Sequence, residues 1–281
     1  YHFATSGLDV ALMEVGLGGR LDAVNIFEPV ASIVTNIGLD HMAWLGDGRE
    51  KIGVEKAAVF RAGLPAVYAD ERPVETVLES AAGIGAQLCL YDRTSTLPDA
   101  ENLNGVPHSI RWAAWQGLSA LPANLCTSEA ERQLGFAAAR LPARFETACT
   151  QPLCILDVAH NVDATTLLAK KLSAYAGVER WLAIFAAYAD KDIQSLLEPM
   201  QPVVSEWICC QLDGPRAAAV NDLSASLTEL SVNVSAASSP QDAWEKAIKR
   251  VQSAEPEELG IVVFGSFETV AAVKQSIEND D

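Results

Sequence analysis

Short apolar runs alternate with helix-patterned stretches along the whole chain, and no other feature restricts its fold as much. LDVALMEV (8–15), ASIVTNI (31–37) and PAVYA (65–69) read as buried strands. REKIGVEKAAVFR (49–61) reads as a helix with Ile52, Val54, Ala57, Ala58 and Val59 on its apolar face. PVETVLESAAGIG (73–85) reads as another helix, followed by QLCLY (87–91) as a strand. Strands bounded by helices predict a parallel sheet covered on its faces, an α/β fold. Residues 92–127 break the pattern with three prolines and three asparagines, and predict irregular structure with an edge hairpin in HSIRWAAW (108–115). A helix over 128–141 then leads into LPARFE, where Pro142 marks a linker.

A second series begins at PLCILDVA (152–159). NVDATTLLAKKLSAYA is a helix capped by Asn161, and RWLAIFAAY a strand. DKDIQSLLEPM is a helix with Asp190 as its cap, and VSEWICCQL a strand. After the loop LDGPRA come the helix QDAWEKAIKRVQ, the strand LGIVVFGSF and the helix ETVAAVKQSI. Four or five such repeats make a complete small Rossmann-like domain. The first series has too few strands to match it.

The 281 residues, 49% hydrophobic, suffice for two cores. A net charge of −17 argues against nucleic acid as a partner, because phosphate backbones need a basic surface. No run approaches the length of a membrane span, and no secretory leader is visible. The six cysteines form no CxxC pair and read as core thiols of a reducing compartment. A monomeric cytoplasmic protein is the expectation.

In open α/β sheets ligands bind at the carboxyl ends of strands. The acid Glu14 ends the first apolar run. Asp40 and His41 follow the second, Asp157, His160 and Asn161 the run at 152, Asp190 to Asp192 the run at 180, and Gly265 to Phe267 the last. Glu14, Asp40 and His41 suit a hard cation with oxygen ligands and one imidazole. Lys56 sits among apolar neighbours, a costly place for an ammonium unless it is paired, modified or snorkelling. The glycines of MEVGLGGRLDAVN (13–25) fit neither GxxxxGK[ST] nor GxGxxG, and no Gly-Lys dipeptide occurs in the chain. They leave two readings open, a phosphate cradle or a tight turn that brings backbone near a substrate.

LMEVGLGGRLDAVN, TNIGLDHMAWLGDGREKIGVEKAAVFR, LPARFE, ILDVAHN, ADKDI, LDGPR and VFGSFETVA, in that order, together resemble the bifunctional dihydrofolate synthase / folylpolyglutamate synthase enzymes of the Mur ligase superfamily. The resemblance implies a partial P-loop-type central domain over 1–141, without its P-loop portion, and a complete Rossmann-like ligase domain over 142–281. It implies that ATP and magnesium activate a carboxylate as an acyl phosphate, which the amine of L-glutamate attacks. The substrates would be dihydropteroate and folates. Glu14 and His41 match magnesium ligands, and Lys56 matches a lysine that becomes an N-carboxylated metal ligand. Lys56 and His160 match catalytic residues. Arg144, Asp157 and His160 match ATP contacts, and Asp22 a pterin-pocket residue. Lys191 and Ser266 fall in motifs near the glutamate. The sequence departs from the family at Ala143 (glycine is usual) and at Ala189 and Glu268 (histidine is usual). Two other readings are an inactive folate- or nucleotide-binding remnant of the same family, and a sister ligase acting on cell-wall precursors.

Overall fold

The computed structural model describes residues 2–98, 103, 105–229, 233–253 and 259–280. The chain forms two compact units, Tyr1–Arg140 and Leu141–Asp281.

In the first unit, α1 (His2–Thr5) and a 3-10 turn (Ala23–Ile26) precede β1 (Ser32–Val34), α2 (Met42–Leu45), α3 (Arg49–Ala57) and β2 (Pro65–Tyr68). α4 (Glu75–Ile84), β3 (Gln87–Leu90), α5 (His108–Ser119) and α6 (Glu129–Ala138) follow. The strands form a parallel sheet in the order β1-β2-β3. Successive strand side chains point to opposite faces. Ala66 and Tyr68 of β2 therefore join Ile52 and Val77 of the two helices on one face, while Val67 and Ala69 meet Trp112 and Ala113 of α5 on the other. α6 begins at a capping box. Ser128 Oγ accepts from Glu131 N, and the Glu131 carboxylate accepts from Ser128 N.

Three expectations for this unit are corrected. The 8–15 run lies outside the sheet, with Leu12 94% exposed. An apolar run becomes a strand only when neighbouring backbone accepts its ladder bonds. Here it lines an open apolar groove of about 520 Å³ with residues 27–33 and Leu121. The HSIRWAAW piece is the helix α5, because Ser109, Trp112 and Ala113 fall three and four apart and are buried together. Val54, expected on the buried face of α3, is exposed. Residues 99–102 and 104 of the expected irregular stretch lie outside the described residues.

The second unit contains β4 (Glu146–Thr150), β5 (Leu153–Leu156), α7 (Val162–Ser173), β6 (Arg180–Phe185), α8 (Ile193–Leu197) and β7 (Val204–Cys210). α9 (Val220–Glu229), β8 (Asn233–Ala237), α10 (Pro240–Gln252), β9 (Leu259–Phe264) and α11 (Phe267–Asp280) complete it. The six-stranded sheet has the order β4-β5-β9-β6-β7-β8. β4 is antiparallel to β5, and the other neighbours are parallel. All six residues of β9 are buried. Phe185, Trp207 and Phe264 pack at 5.0 to 6.2 Å between ring centroids in the centre of the core. Asn161 Oδ1 caps α7 by accepting from Ala164 N at 3.0 Å. The cap of α8 is Asp192, which accepts from Ser195 N, and not the expected Asp190. Sequence patterning missed β4, α9 and β8. Because β9 lies between β5 and β6, the loops after these three strands are neighbours at one edge of the sheet.

Candidate active site

At that edge of the second unit the backbone around Arg144 is strained. Ala143 (φ 57°) and Phe145 (φ 55°) are both left-handed, at about 1 kcal/mol or more each for residues with a Cβ. Hydrogen bonds hold the turn. Glu146 Oε2 accepts from Ala143 N at 2.7 Å, Asp157 Oδ2 from Phe145 N at 2.9 Å, and Ala143 O from Val158 N at 2.9 Å. The turn places the Arg144 guanidinium carbon 5.6 Å from the centroid of the Phe267 ring. The His160 ring lies 5.8 Å from the same ring. His160 Nδ1 donates to Val158 O at 2.9 Å, because a carbonyl can only accept. That bond fixes the proton on Nδ1 and leaves Nε2 as the second ring nitrogen. Phe267, at the start of α11, is 58% exposed between a cation and an imidazole.

Asp157 is a strut between two motifs, since its other oxygen accepts from Ala159 N at 2.9 Å. Burial raises its carboxyl pKa above the usual range, against the pull of those two amides and of Lys171 and Arg144. The structure thus brings Arg144, Asp157 and His160 together and adds Phe267, which the sequence reading named only as part of a strand end. Its position directly after Gly265 and Ser266 was the available signal.

Ser266 follows β9 by two residues. It is buried, and its hydroxyl meets Thr269 Oγ1 at 2.6 Å and accepts from Thr269 N at 3.0 Å, so it organises the first turn of α11. Lys191 stands on the loop after β6, where its N–H donates to Tyr188 O at 3.2 Å. The Arg216 guanidinium stacks 4.6 Å over the Tyr188 ring.

In the first unit the glycine-rich loop closes on Asp22. One carboxylate oxygen accepts from Gly16 N and Leu17 N, each at 3.0 Å, and the other from Val24 N at 2.9 Å. Asp22, expected at a pterin pocket, spends its carboxylate on its own loop. Those backbone bonds, from Leu17 and Val24 first, hold its pKa below the usual carboxylate range. Gly19 is required where the loop meets α3, since a Cβ there would lie 2.6 Å from Glu55 O. A carboxylate with a depressed pKa keeps its contribution above the ordinary carboxylate range and loses it as pH falls through the depressed value. Asp22→Asn is therefore expected to speed amide exchange at Gly16, Leu17 and Val24 several-fold at pH 7. Wild-type protection should be lost only in acid. Unchanged exchange in the variant would disprove this role of Asp22.

The three expected metal ligands stand on three separate segments of the first unit. Glu14 is exposed on the unpaired 8–15 segment. His41 is left-handed (φ 53°) at the start of α2, 3.9 Å from Asp40. Lys56 is half-buried. Burial pushes its ammonium pKa down, and the Asp40 carboxylate pulls it back up. Among the described residues no three His, Cys, Asp or Glu side chains form a metal-ligand group. The sequence reading missed Arg49 and Asp70. Arg49 Nη2 donates to Asp70 Oδ2 at 2.8 Å, and the same oxygen accepts from Ile37 N at 2.8 Å. This pair anchors the chain just before Asp40 and His41.

An open, mostly parallel sheet with charged and aromatic groups at the carboxyl edge of β5 and β9 has the form of a ligand-binding α/β domain. Residues 143–267 match the model of the Mur ligase, glutamate ligase domain. The chain is 37% identical to the dihydrofolate synthase/folylpolyglutamate synthase of Escherichia coli (strain K12), over 98% of this chain and 67% of that protein. The structure of E. coli FolC in complex with DHPP and ADP superposes with a TM-score of 0.84 at 35% identity, covering 95% of this chain and 66% of that one. A bifunctional folylpolyglutamate synthase/dihydrofolate synthase with Mn, AMPPNP and L-glutamate bound also gives 0.84 at 35% identity, covering 98% and 68%. The class is thus that of the Mur ligases. Within it, the chain belongs to the dihydrofolate synthase/folylpolyglutamate synthase family and spans about two thirds of the length of the relatives it matches.

Proposed function

We propose that this chain takes part in ATP-dependent ligation of L-glutamate to dihydropteroate and to folates through an acyl phosphate. In this reading residues 1–141 are the C-terminal part of a central ATPase domain and 142–281 the Rossmann-like ligase domain of a monomeric cytoplasmic enzyme. The observation that carries the reading is the arrangement of Arg144 and His160 about the exposed Phe267 ring, at the carboxyl edge of a parallel sheet. The DHPP, nucleotide and glutamate bound by the relatives support it.

Arg144 supplies fixed positive charge for the nucleotide phosphates, and its strained, pinned turn means little of that geometry has to be found on binding. His160, with its proton on Nδ1, presents Nε2 as acceptor, or as donor once protonated. Asp157 keeps both groups in register through the Phe145 and Ala159 amides. Lys191 serves the glutamate side.

The donor chemistry in the first unit fits a hard cation. Glu14 and His41 provide oxygen and imidazole, and burial favours the neutral Lys56 amine, the form that adds carbon dioxide and releases a proton to become a carbamate oxygen donor. Magnesium held there would offset the charge of the phosphate oxygens.

Calorimetric titration of the chain with ADP and magnesium tests the nucleotide site. Arg144→Ala is expected to weaken binding about tenfold or more, the size of a lost charge-assisted contact. Phosphate release on adding dihydropteroate, L-glutamate, ATP and magnesium tests the reaction. Nucleotide binding without release would favour the inactive remnant. An affinity indifferent to Arg144 would sink the assignment of this edge.

A further inference from the structure

The turn that presents Arg144 is held from two sides by carboxylates. Asp157 belongs to the site already described. Glu146, the first residue of β4, has both of its oxygens engaged outside the Phe267 ring group. Oε2 accepts from Ala143 N at 2.7 Å. Oε1 accepts from Lys274 Nζ at 2.6 Å. Lys274 stands on α11, two turns beyond Phe267.

We propose that Lys274 is a positioning residue for Arg144: through Glu146 it holds Ala143 left-handed and so aims the guanidinium at the Phe267 ring. The geometry supports this over an ordinary surface ion pair. A surface pair is free to rotate and contributes little. Here one carboxylate bridges a lysine and the backbone amide of a strained residue, and only 29% of its side chain and 33% of that of Lys274 are exposed. A glutamate that rotated away would leave the Ala143 N–H without this acceptor at a residue that already disfavours its φ. The ammonium removes that freedom. Burial pushes the Glu146 carboxyl up, but the bonds from Lys274 and Ala143 outweigh it and hold its pKa below the usual range. The same helix thus carries the ring Arg144 stacks on at its start and the cation that fixes the Arg144 turn further along, so both ends of the contact move with one rigid element.

The proposal rests on the nucleotide reading only for its effect on binding, so the test has two separate readouts in the whole chain. Amide exchange at Ala143 reports the turn itself. Lys274→Met is expected to speed it about tenfold and Lys274→Arg to leave it near the wild-type rate. Titration with ADP and magnesium, in chains with Arg144 and with Arg144→Ala, reports the consequence. Lys274→Met should weaken binding several-fold only where Arg144 is present, since two changes acting through one contact do not add. Unchanged exchange at Ala143 in Lys274→Met overturns the proposal. Equal speeding in Lys274→Arg also overturns it, because side-chain packing and not charge would then be responsible. So does an equal loss of ADP affinity in the Arg144→Ala chain. If the wild-type chain binds no ADP while exchange at Ala143 responds as expected, the nucleotide reading fails and the positioning of the turn stands.

Discussion

Replacing Gly265 with alanine should destabilise the Leu141–Asp281 unit by about 3 kcal/mol or more, from overpacking and backbone strain together. Gly265 follows β9 with φ +106°, a conformation side chains avoid. A Cβ there would overlap Ala186 O and lie 2.7 Å from two ring carbons of Phe185. Neither neighbour can give way, because Phe185 ends β6 in the centre of the core and Ala186 continues it. Gly265 N also donates to Ala159 O at 2.9 Å, joining the loops after β5 and β9. A shift there would carry Phe267 away from Arg144 and His160. Gly177 is the control, with φ +85° and nothing within 4 Å of an added Cβ. Gly177→Ala should cost only the backbone strain, about 1 kcal/mol. Urea unfolding followed by circular dichroism measures both, and equal costs would show that the close approach at Gly265 is not limiting.

Asp70→Ala is expected to remove about 3 kcal/mol from the first unit, the usual cost of leaving the partner of a buried pair uncompensated. Asp70 is 6% exposed, and its carboxylate accepts from Ile37 N, Arg72 N and Arg49 Nη2, each at 2.8 Å. Arg49 in turn donates to Ile37 O at 2.7 Å and Arg72 O at 2.8 Å. Removing Asp70 strands a half-buried guanidinium and two buried or half-buried amides. Asp70→Asn keeps the shape and should cost less. The chain at Ile37 leads into Asp40 and His41, so faster amide exchange at Ile37 should accompany the lower melting temperature. A melting temperature equal to wild type in Asp70→Ala would disprove the role of this pair.

The strand and helix pattern of both units was legible because its causes are local. β2, β5, β6 and β9 are apolar runs of strand length, and α7 and α6 carry their caps at Asn161 and Ser128. Two failures have one cause. LDVALMEV is as apolar as a buried strand, yet pairing depends on a neighbour that composition does not report. HSIRWAAW alternates like a strand, but Ser109, Trp112 and Ala113 also sit at helical spacing, and the sheet face they cover chose between the periods.

At the site, Asp157 and His160 were readable at a strand end, and Arg144 only through the family resemblance of LPARFE. Phe267 was not, since an aromatic after a strand is as often core as surface. Asp22 and Ser266 were assigned to substrate only through the motifs that carry the family resemblance. In the fold the Asp22 carboxylate is taken up by backbone amides, and the Ser266 hydroxyl by its own helix turn. A sequence shows that a carboxylate is present but not which amides will be within 3 Å of it.

By itself the sequence determined the α/β class, the family, and the residue types available at each strand end, because these follow from periodicity and motif over a few neighbouring residues. Only the tertiary structure decided the sheet order that puts the loops after β5, β9 and β6 side by side, and the partners of each buried or half-buried carboxylate. The most distant hydrogen-bond partners of the Asp70, Asp157 and Glu146 carboxylates lie 33, 12 and 128 residues away. Separations of that size are closed by burial of the two cores, and no local propensity encodes them.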